Sequence, residues 1–239
     1  MLQHLKNDLQ KLANAKKAET YKRFFKTGVG EYGEKIFLIG VSAPNLKMLA
    51  KKYMNISFTD ISKLLKSKIH EERLIALLIL VFNFQKKTEN QDKIFSFYLK
   101  NRKYIDNWDL VDLSAYKIIG KYLFEKDKSL LYEMVNSNSL WDRRIAIVST
   151  LYFIRNQKFD DTVNIAKILL NDKQDLIHKA VGWMLREIGK RNEKLLEKFL
   201  KENYKKMPRT MLRYAIEKFS EEKRKSYLNK NYKLIINKN

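Results

Sequence analysis

The sequence predicts an all-α protein, a HEAT-like helical-repeat solenoid that is curved with a concave basic groove. Three observations carry that expectation. Only 2 Pro and 7 Gly punctuate 239 residues. Apolar residues recur at three- and four-residue steps almost throughout, the spacing that lines one face of a helix. From residue 60 onward the helical segments come in pairs joined by short polar links, with pair starts near 60, 90, 128, 160 and 193. A period of about 33 residues is that of stacked helical hairpins, each burying its face against its neighbours.

Taken in order, the helical segments fall at 2–12, 16–26, 44–53, 60–67, 71–86, 90–103, 106–125, 128–136, 141–157, 160–170, 175–190, 193–205, 209–219 and 221–229. Helix-start residues support several of them. Asp127 and Ser129 precede LLYEMV, Asp160 precedes DTVNIAKILL, Asp172 or Asp175 precedes LIHKAV, and Pro208 opens the segment after it. The longest apolar run, Leu74 to Phe82, has nine residues. A spanning helix needs about 20, so this run reads as a buried core helix. No linker rich in Pro, Gly or Ser divides the chain, which predicts a single HEAT-like repeat domain over 1–239: N-terminal helices and a Gly-rich loop (1–42), a repeat stack (43–229) and a short C-terminal tail (230–239).

The Gly-rich loop, TGVGEYGEKIFLIGVS from Thr27 to Ser42, holds four of the seven glycines. Gly28, Gly30 and Gly33 spell GxGxxG, which binds dinucleotides only between a strand and the start of a helix. Here a helical segment ending in FFKT precedes it and the next helix begins only at Ala43-Pro44, so a surface loop near a ligand is the better reading.

Charge sets the partner class. Forty-nine Lys and Arg against 27 Asp and Glu leave a net +22. The many Lys, Asn and Ile residues suggest an AT-rich genome, but that bias does not deplete acids, so the excess predicts nucleic acid ahead of an anionic membrane surface. The absence of cysteine excludes disulfides and thiolate zinc sites, and His4, His70 and His178 are widely spaced, so neither a metal nor a cofactor is expected. The first residues show no apolar core of a signal peptide, and a soluble, cytoplasmic monomer is the expectation.

Three positions break the amphipathic pattern. On a wheel of 106–125, Trp108, Val111, Asp112, Ala115, Ile118, Ile119 and Tyr122 share one arc, while Asp109, Lys117 and Lys121 lie away from it. A desolvated carboxylate is costly, so Asp112 either pairs with a loop or an arginine or is kept for chemistry. In 141–157, Arg144, Val148, Leu151 and Arg155 form one stripe, putting guanidinium groups where packing predicts aliphatics. They either pair with Asp112 or line a groove and grip phosphate, while Trp141 reads as a packing residue. In 175–190, Trp183 projects nearly opposite Val181, Met184, Leu185 and Ile188. It either covers a neighbouring repeat or offers a flat surface to a nucleic acid, and His178 reads as a core or capping residue.

The blocks FFKTGVGEYGE, NWDLVDLSA, WDRRIAIVST, LIHKAVGWMLREIGK and MPRTMLRYAIEKF resemble, in order and spacing, the bacterial DNA alkylation repair enzymes of the AlkD type, over residues 20 to 220. The resemblance implies a DNA glycosylase that excises cationic N3- and N7-alkylated purines from duplex DNA without base flipping, in base excision repair. Carried over by position, it implies Asp112 as the catalytic aspartate, Trp108 and Trp183 as the active-site tryptophans, and Arg144, or Arg143 if the register slips, as the phosphate-gripping arginine. Lys179, Arg186, Arg209 and Arg213 would add sequence-independent DNA affinity. The family's further N-terminal aromatic falls on Phe24, Phe25 or Tyr32, because the glycine loop is longer here. The alternative is a non-catalytic HEAT-like protein that recognises damaged or branched DNA; a third class is a scaffold for a protein partner.

Overall fold

The computed structural model describes residues 1–34, 36–86 and 90–229; the expected tail 230–239 lies outside them. Every predicted segment contains helix, but 106–125 and 141–157 are each broken into shorter pieces. The order is α1 (Leu2–Lys11), α2 (Ala15–Phe25), α3 (Ala43–Lys52), α4 (Phe58–Leu65), α5 (His70–Lys86), α6 (Gln91–Asn101), α7 (Trp108–Ala115), α8 (Lys121–Leu123), α9 (Ser129–Val135), α10 (Leu140–Ser149), α11 (Leu151–Arg155), α12 (Asp160–Ile168), α13 (Asp175–Gly189), α14 (Glu193–Asn203), α15 (Arg209–Ala215) and α16 (Glu221–Leu228). Among the described residues there is no strand, only an isolated parallel bridge between Phe37 and Ile69. No helix among them is long and apolar enough to cross a membrane. The chain divides into two compact units, Met1–Ile118 and Ile119 onward.

In the first unit α5 is the central element, packed by α3, α4, α6 and α7. Ile75 through Val81 and Phe84 are all buried, as the apolar run predicts. Four polar residues at its head are buried as well: His70, Glu71, Glu72 and Arg73, at 1%, 2%, 4% and 7% exposure. Buried charges persist only when paired. The Glu71 carboxylate accepts from the backbone N–H groups of Ile39 (3.1 Å) and Gly40 (2.7 Å), and Glu72 accepts from Lys6 Nζ at 2.8 Å. Arg73 donates to the Tyr104 carbonyl at 2.8 Å and pairs with Asp106. Burial pushes the Arg73 guanidinium below its ordinary value, and the charge of Asp109 opposes that. Gly40 has φ +80° and lies so close to the Asn14 carbonyl that a Cβ would collide with it, so only glycine serves there.

In the second unit α13 is central, packing against α10, α12, α14 and α15. A Cβ at Gly182 would lie 2.5 Å from the Met211 carbonyl oxygen and from Tyr214 Cβ, so the missing side chain is what lets α15 approach. The predicted helix starts are partly corrected. Asp127 Oδ1 accepts from Ser129 N (2.6 Å), Asp172 Oδ1 from Gln174 N (2.8 Å), and Pro208 is the N-cap of α15. Asp160, however, stands inside the first turn of α12 behind Phe159 as N-cap, where its charge complements the positive helix end. The segment 141–157 is two helices: Thr150 interrupts it, its hydroxyl bonded back to the Ile147 carbonyl at 2.7 Å.

Candidate functional site

In the first unit Trp108 is the first residue of α7 and Asp112 stands one turn later, on the same face of the helix. The buried face of α7 is Leu110, Val111, Ser114 and Ala115, with Trp108, Asp109 and Asp112 half-buried at its edges. The wheel therefore placed Asp112 too deep and Asp109 too far out. After Ala115 the helix widens into a π-helical turn, Tyr116–Gly120, which shifts the phase of everything downstream. A single arc drawn at constant pitch through 106–125 still finds the buried Val111, Ala115, Ile118 and Ile119, but it does not show that Trp108 and Asp112 stand at the edge of that face.

Trp108 is held by aromatics. Its ring stacks on Phe25, centroids 5.5 Å apart at 24°, and meets Phe24 edge-on at 5.2 Å. Phe25 is 8% exposed and Phe24 62%, so one ring anchors and the other is offered to solvent. Tyr32, the third aromatic candidate, is half-buried in the glycine loop. Beside this cluster opens a cavity of about 380 Å³ lined by Tyr21, Phe24, Phe25, His70, Asp109 and Leu113 among others. His70 Nε2 donates to Asp109 Oδ2 at 2.7 Å, and His70 Nδ1 is buried with no hydrogen-bond partner among the described residues. The sequence reading passed over this pair. The available signal was the charged run His70-Glu71-Glu72-Arg73 leading directly into the apolar stretch.

In the loop, the amides a phosphate would need are already used. Gly28 N donates to Glu31 Oε2 (2.9 Å) and Gly30 N to Glu34 Oε2 (3.1 Å).

In the second unit Arg144 is 4% exposed and donates to the Leu176 carbonyl, while Arg155 is exposed on α11, beyond the Thr150 break that ends the expected stripe. Arg143 is bound internally, Nε to Asp172 Oδ2 at 2.6 Å and Nη1 to the Ser137 carbonyl at 2.9 Å. Trp183 is half-buried on α13 rather than projecting fully outward, and His178 Nε2 donates to the Asp172 carbonyl at 2.5 Å. Lys179 pairs with Asp175 at 2.8 Å and Arg186 with Glu217. Burial works to raise the Asp175 carboxyl, yet hydrogen bonds from Lys179 and Thr210 hold it below its ordinary value. Arg209 Nη1 donates to the Leu228 carbonyl at 2.6 Å, and Arg213 is exposed. Among the described residues no group of three or more His, Cys, Asp or Glu is arranged to hold a metal ion.

The sequence model of the DNA alkylation repair enzymes matches residues 5–219. The chain belongs to this family. Among solved structures, a predicted DNA alkylation repair enzyme from Enterococcus faecalis superposes with a TM-score of 0.70 at 18% identity, covering 87% of this chain and 97% of its own. AlkD2 from Streptococcus mutans superposes at 0.54 with 18% identity, covering 85% of this chain and 97% of its own. No curated protein matches the chain. At these identities the structural likeness establishes the shared helical fold, and the family match establishes repair of alkylated DNA as the setting.

Proposed function

We propose that this family member is a DNA glycosylase that hydrolyses the N-glycosyl bond of cationic N3- and N7-alkylated purines in duplex DNA, opening base excision repair without flipping the base. Alkylation makes the purine cationic and already a good leaving group, so the enzyme's task lies at the sugar. As the bond to the base breaks, positive charge grows on deoxyribose. The Asp112 carboxylate stabilises that charge and orients water toward C1′.

The observation that carries this reading is the placement of Asp112: half-buried, one helical turn beyond Trp108, on a helix whose first turn is braced by the Phe24–Phe25 cluster. Partial desolvation strengthens the carboxylate's field while leaving it reachable. Trp108 presents its ring face to the sugar-phosphate backbone, where the ring's quadrupole favours the cationic transition state, and Trp183 has the same role in the second unit. Arg144 is assigned to a backbone phosphate, with Arg143 its alternate; each would exchange its internal partner, the Leu176 carbonyl or Asp172, for the phosphate. Lys179, Arg186, Arg209, Arg213 and Tyr32 are assigned to contacts that carry no sequence information. The protein acts as a cytoplasmic monomer of HEAT-like repeats and needs no cofactor.

The test compares wild type with Asp112→Asn on methylated duplex, analysing the freed bases. The variant should lose at least ~100-fold in 7-methylguanine release, the scale of removing one transition-state electrostatic partner. Duplex affinity should stay within about twofold, because the change leaves phosphate contacts intact. Normal excision by the variant removes Asp112 from the chemistry; no release even by wild type favours damaged-DNA binding without turnover.

A further inference from the structure

A second basic surface lies on the first unit, and none of its lining residues belongs to α7 or to the Trp108 cluster. Phe58 on α4 and Phe97 on α6 meet with ring centroids 5.0 Å apart at 45°. They line a groove of about 570 Å³ that Tyr104 also lines. Lys66, Lys100 and Lys103 stand around it, exposed. The ammonium groups of Lys66 and Lys103 lie 5.8 and 5.2 Å from the Tyr104 ring centroid, which holds both at one rim.

Some exposed lysines elsewhere pair with carboxylates, Lys22 with Glu19, Lys52 with Asp8, Lys158 with Glu125 and Lys225 with Glu221, while others, such as Lys16, Lys47 and Lys51, have no acidic partner among the described residues. Among the described residues none of Lys66, Lys100 and Lys103 has an acidic partner, although Asp60 on the same helix is taken by Lys63 at 3.2 Å. Three like charges around one concavity repel one another, and that cost is relieved by an anion threading between them. The aromatic lining narrows the class of anion. Phe58 is 38% exposed, an apolar ring lining a cationic groove, which inorganic phosphate and an acidic peptide leave unused. A strand with unpaired bases uses both features, its phosphates at the rim and its base faces on the rings.

We propose that the α4–α6 groove binds single-stranded nucleic acid, as a second nucleic-acid surface independent of the excision chemistry on α7. The test uses the full chain and a fluorescein-labelled oligothymidylate of about twelve nucleotides, read by anisotropy across a salt series. The Lys66→Glu/Lys100→Glu/Lys103→Glu variant should weaken strand binding at least ~10-fold and lower the slope of log affinity against log salt by about 2, as three lost phosphate contacts require. Phe58→Ala alone should weaken it about fivefold or more with the slope unchanged, since stacking is lost and charge is not. Release of bases from methylated duplex stays within about twofold for both variants, which separates this claim from the glycosylase reading. Should the triple variant fail to fold, Phe58→Ala at its exposed position decides by the same affinity readout. Unchanged strand affinity in the variants overturns the proposal. So does polyglutamate displacing the labelled strand as well as unlabelled oligothymidylate does.

Discussion

His70 and Asp109 join the head of α5 to the first turn of α7 through a 2.7 Å hydrogen bond inside the first unit. Asp109 Oδ1 also accepts from the Leu110 amide at 2.8 Å, so one carboxylate fixes both the start of α7 and its distance from α5. Trp108 and Asp112 are carried on that same helix. Asp109→Ala should leave a buried imidazole unpaired and cost about 2 kcal/mol of stability. Urea denaturation reads the stability change. If base release falls by more than the unfolded fraction accounts for, the pair positions the helix for function as well.

Glu71 is a buried carboxylate whose acceptors are consumed by two backbone amides of the loop, Ile39 and Gly40. Glu71→Ala should strand both donors and destabilise the protein by about 3 kcal/mol. Calorimetric melting reads the loss, and hydrogen exchange at Ile39 and Gly40 should rise before global unfolding does.

Gly182 sits where α13 and α15 touch. Gly182→Ala should push a methyl group into the Met211 carbonyl and Tyr214, costing about 1–3 kcal/mol although alanine is the better helix former. A melting temperature equal to or above wild type would show that α15 slides aside without loss.

Asp8 offers a pH test. Hydrogen bonds from Lys52 at 2.6 Å and Tyr53 at 2.7 Å hold its carboxyl down to about 2, against 3.8 ordinarily. A depressed acid contributes stability that is fully present above its unfolded value and is lost as pH falls through its folded one. Acid titration of the wild type should therefore show a stability loss between pH 3.8 and about 2 that is absent from Asp8→Asn. Because Lys52 is exposed and Asp8 partly so, added salt should shrink the difference.

Arg213 is exposed on α15, while Arg209 and Arg186 are engaged with Leu228 and Glu217. Arg213→Ala should lower the salt slope of duplex binding by about 1 and leave the melting temperature alone. A lost phosphate contact changes the slope; a merely solvated surface charge would not.

The helices were legible because their signal is local. Periodicity and the scarcity of breakers found each segment, and Leu74–Phe82 reads as a buried helix from its letters alone. Trp108 and Asp112 stood out because polar and aromatic residues interrupted an apolar arc. What escaped was long-range or phase-dependent. Glu71 and Glu72 look like surface acids in the sequence, and their partners lie 31 and 66 residues away. Arg144 and Arg155 seemed one stripe because the turn at Thr150 is invisible at constant pitch. The π-helical turn after Ala115 likewise breaks the constant pitch, though only for the residues that follow α7.

The loop at Gly28 and Gly30 has a consequence for reading patterns of letters. Its glycines are spaced like a nucleotide cradle, yet Glu31 and Glu34 bend back to occupy their amides, so the chain supplies its own anionic plug. Cutting those two acids back to alanine would free the Gly28 and Gly30 amides on an already cationic protein, offering a phosphate two donors that the native loop withholds.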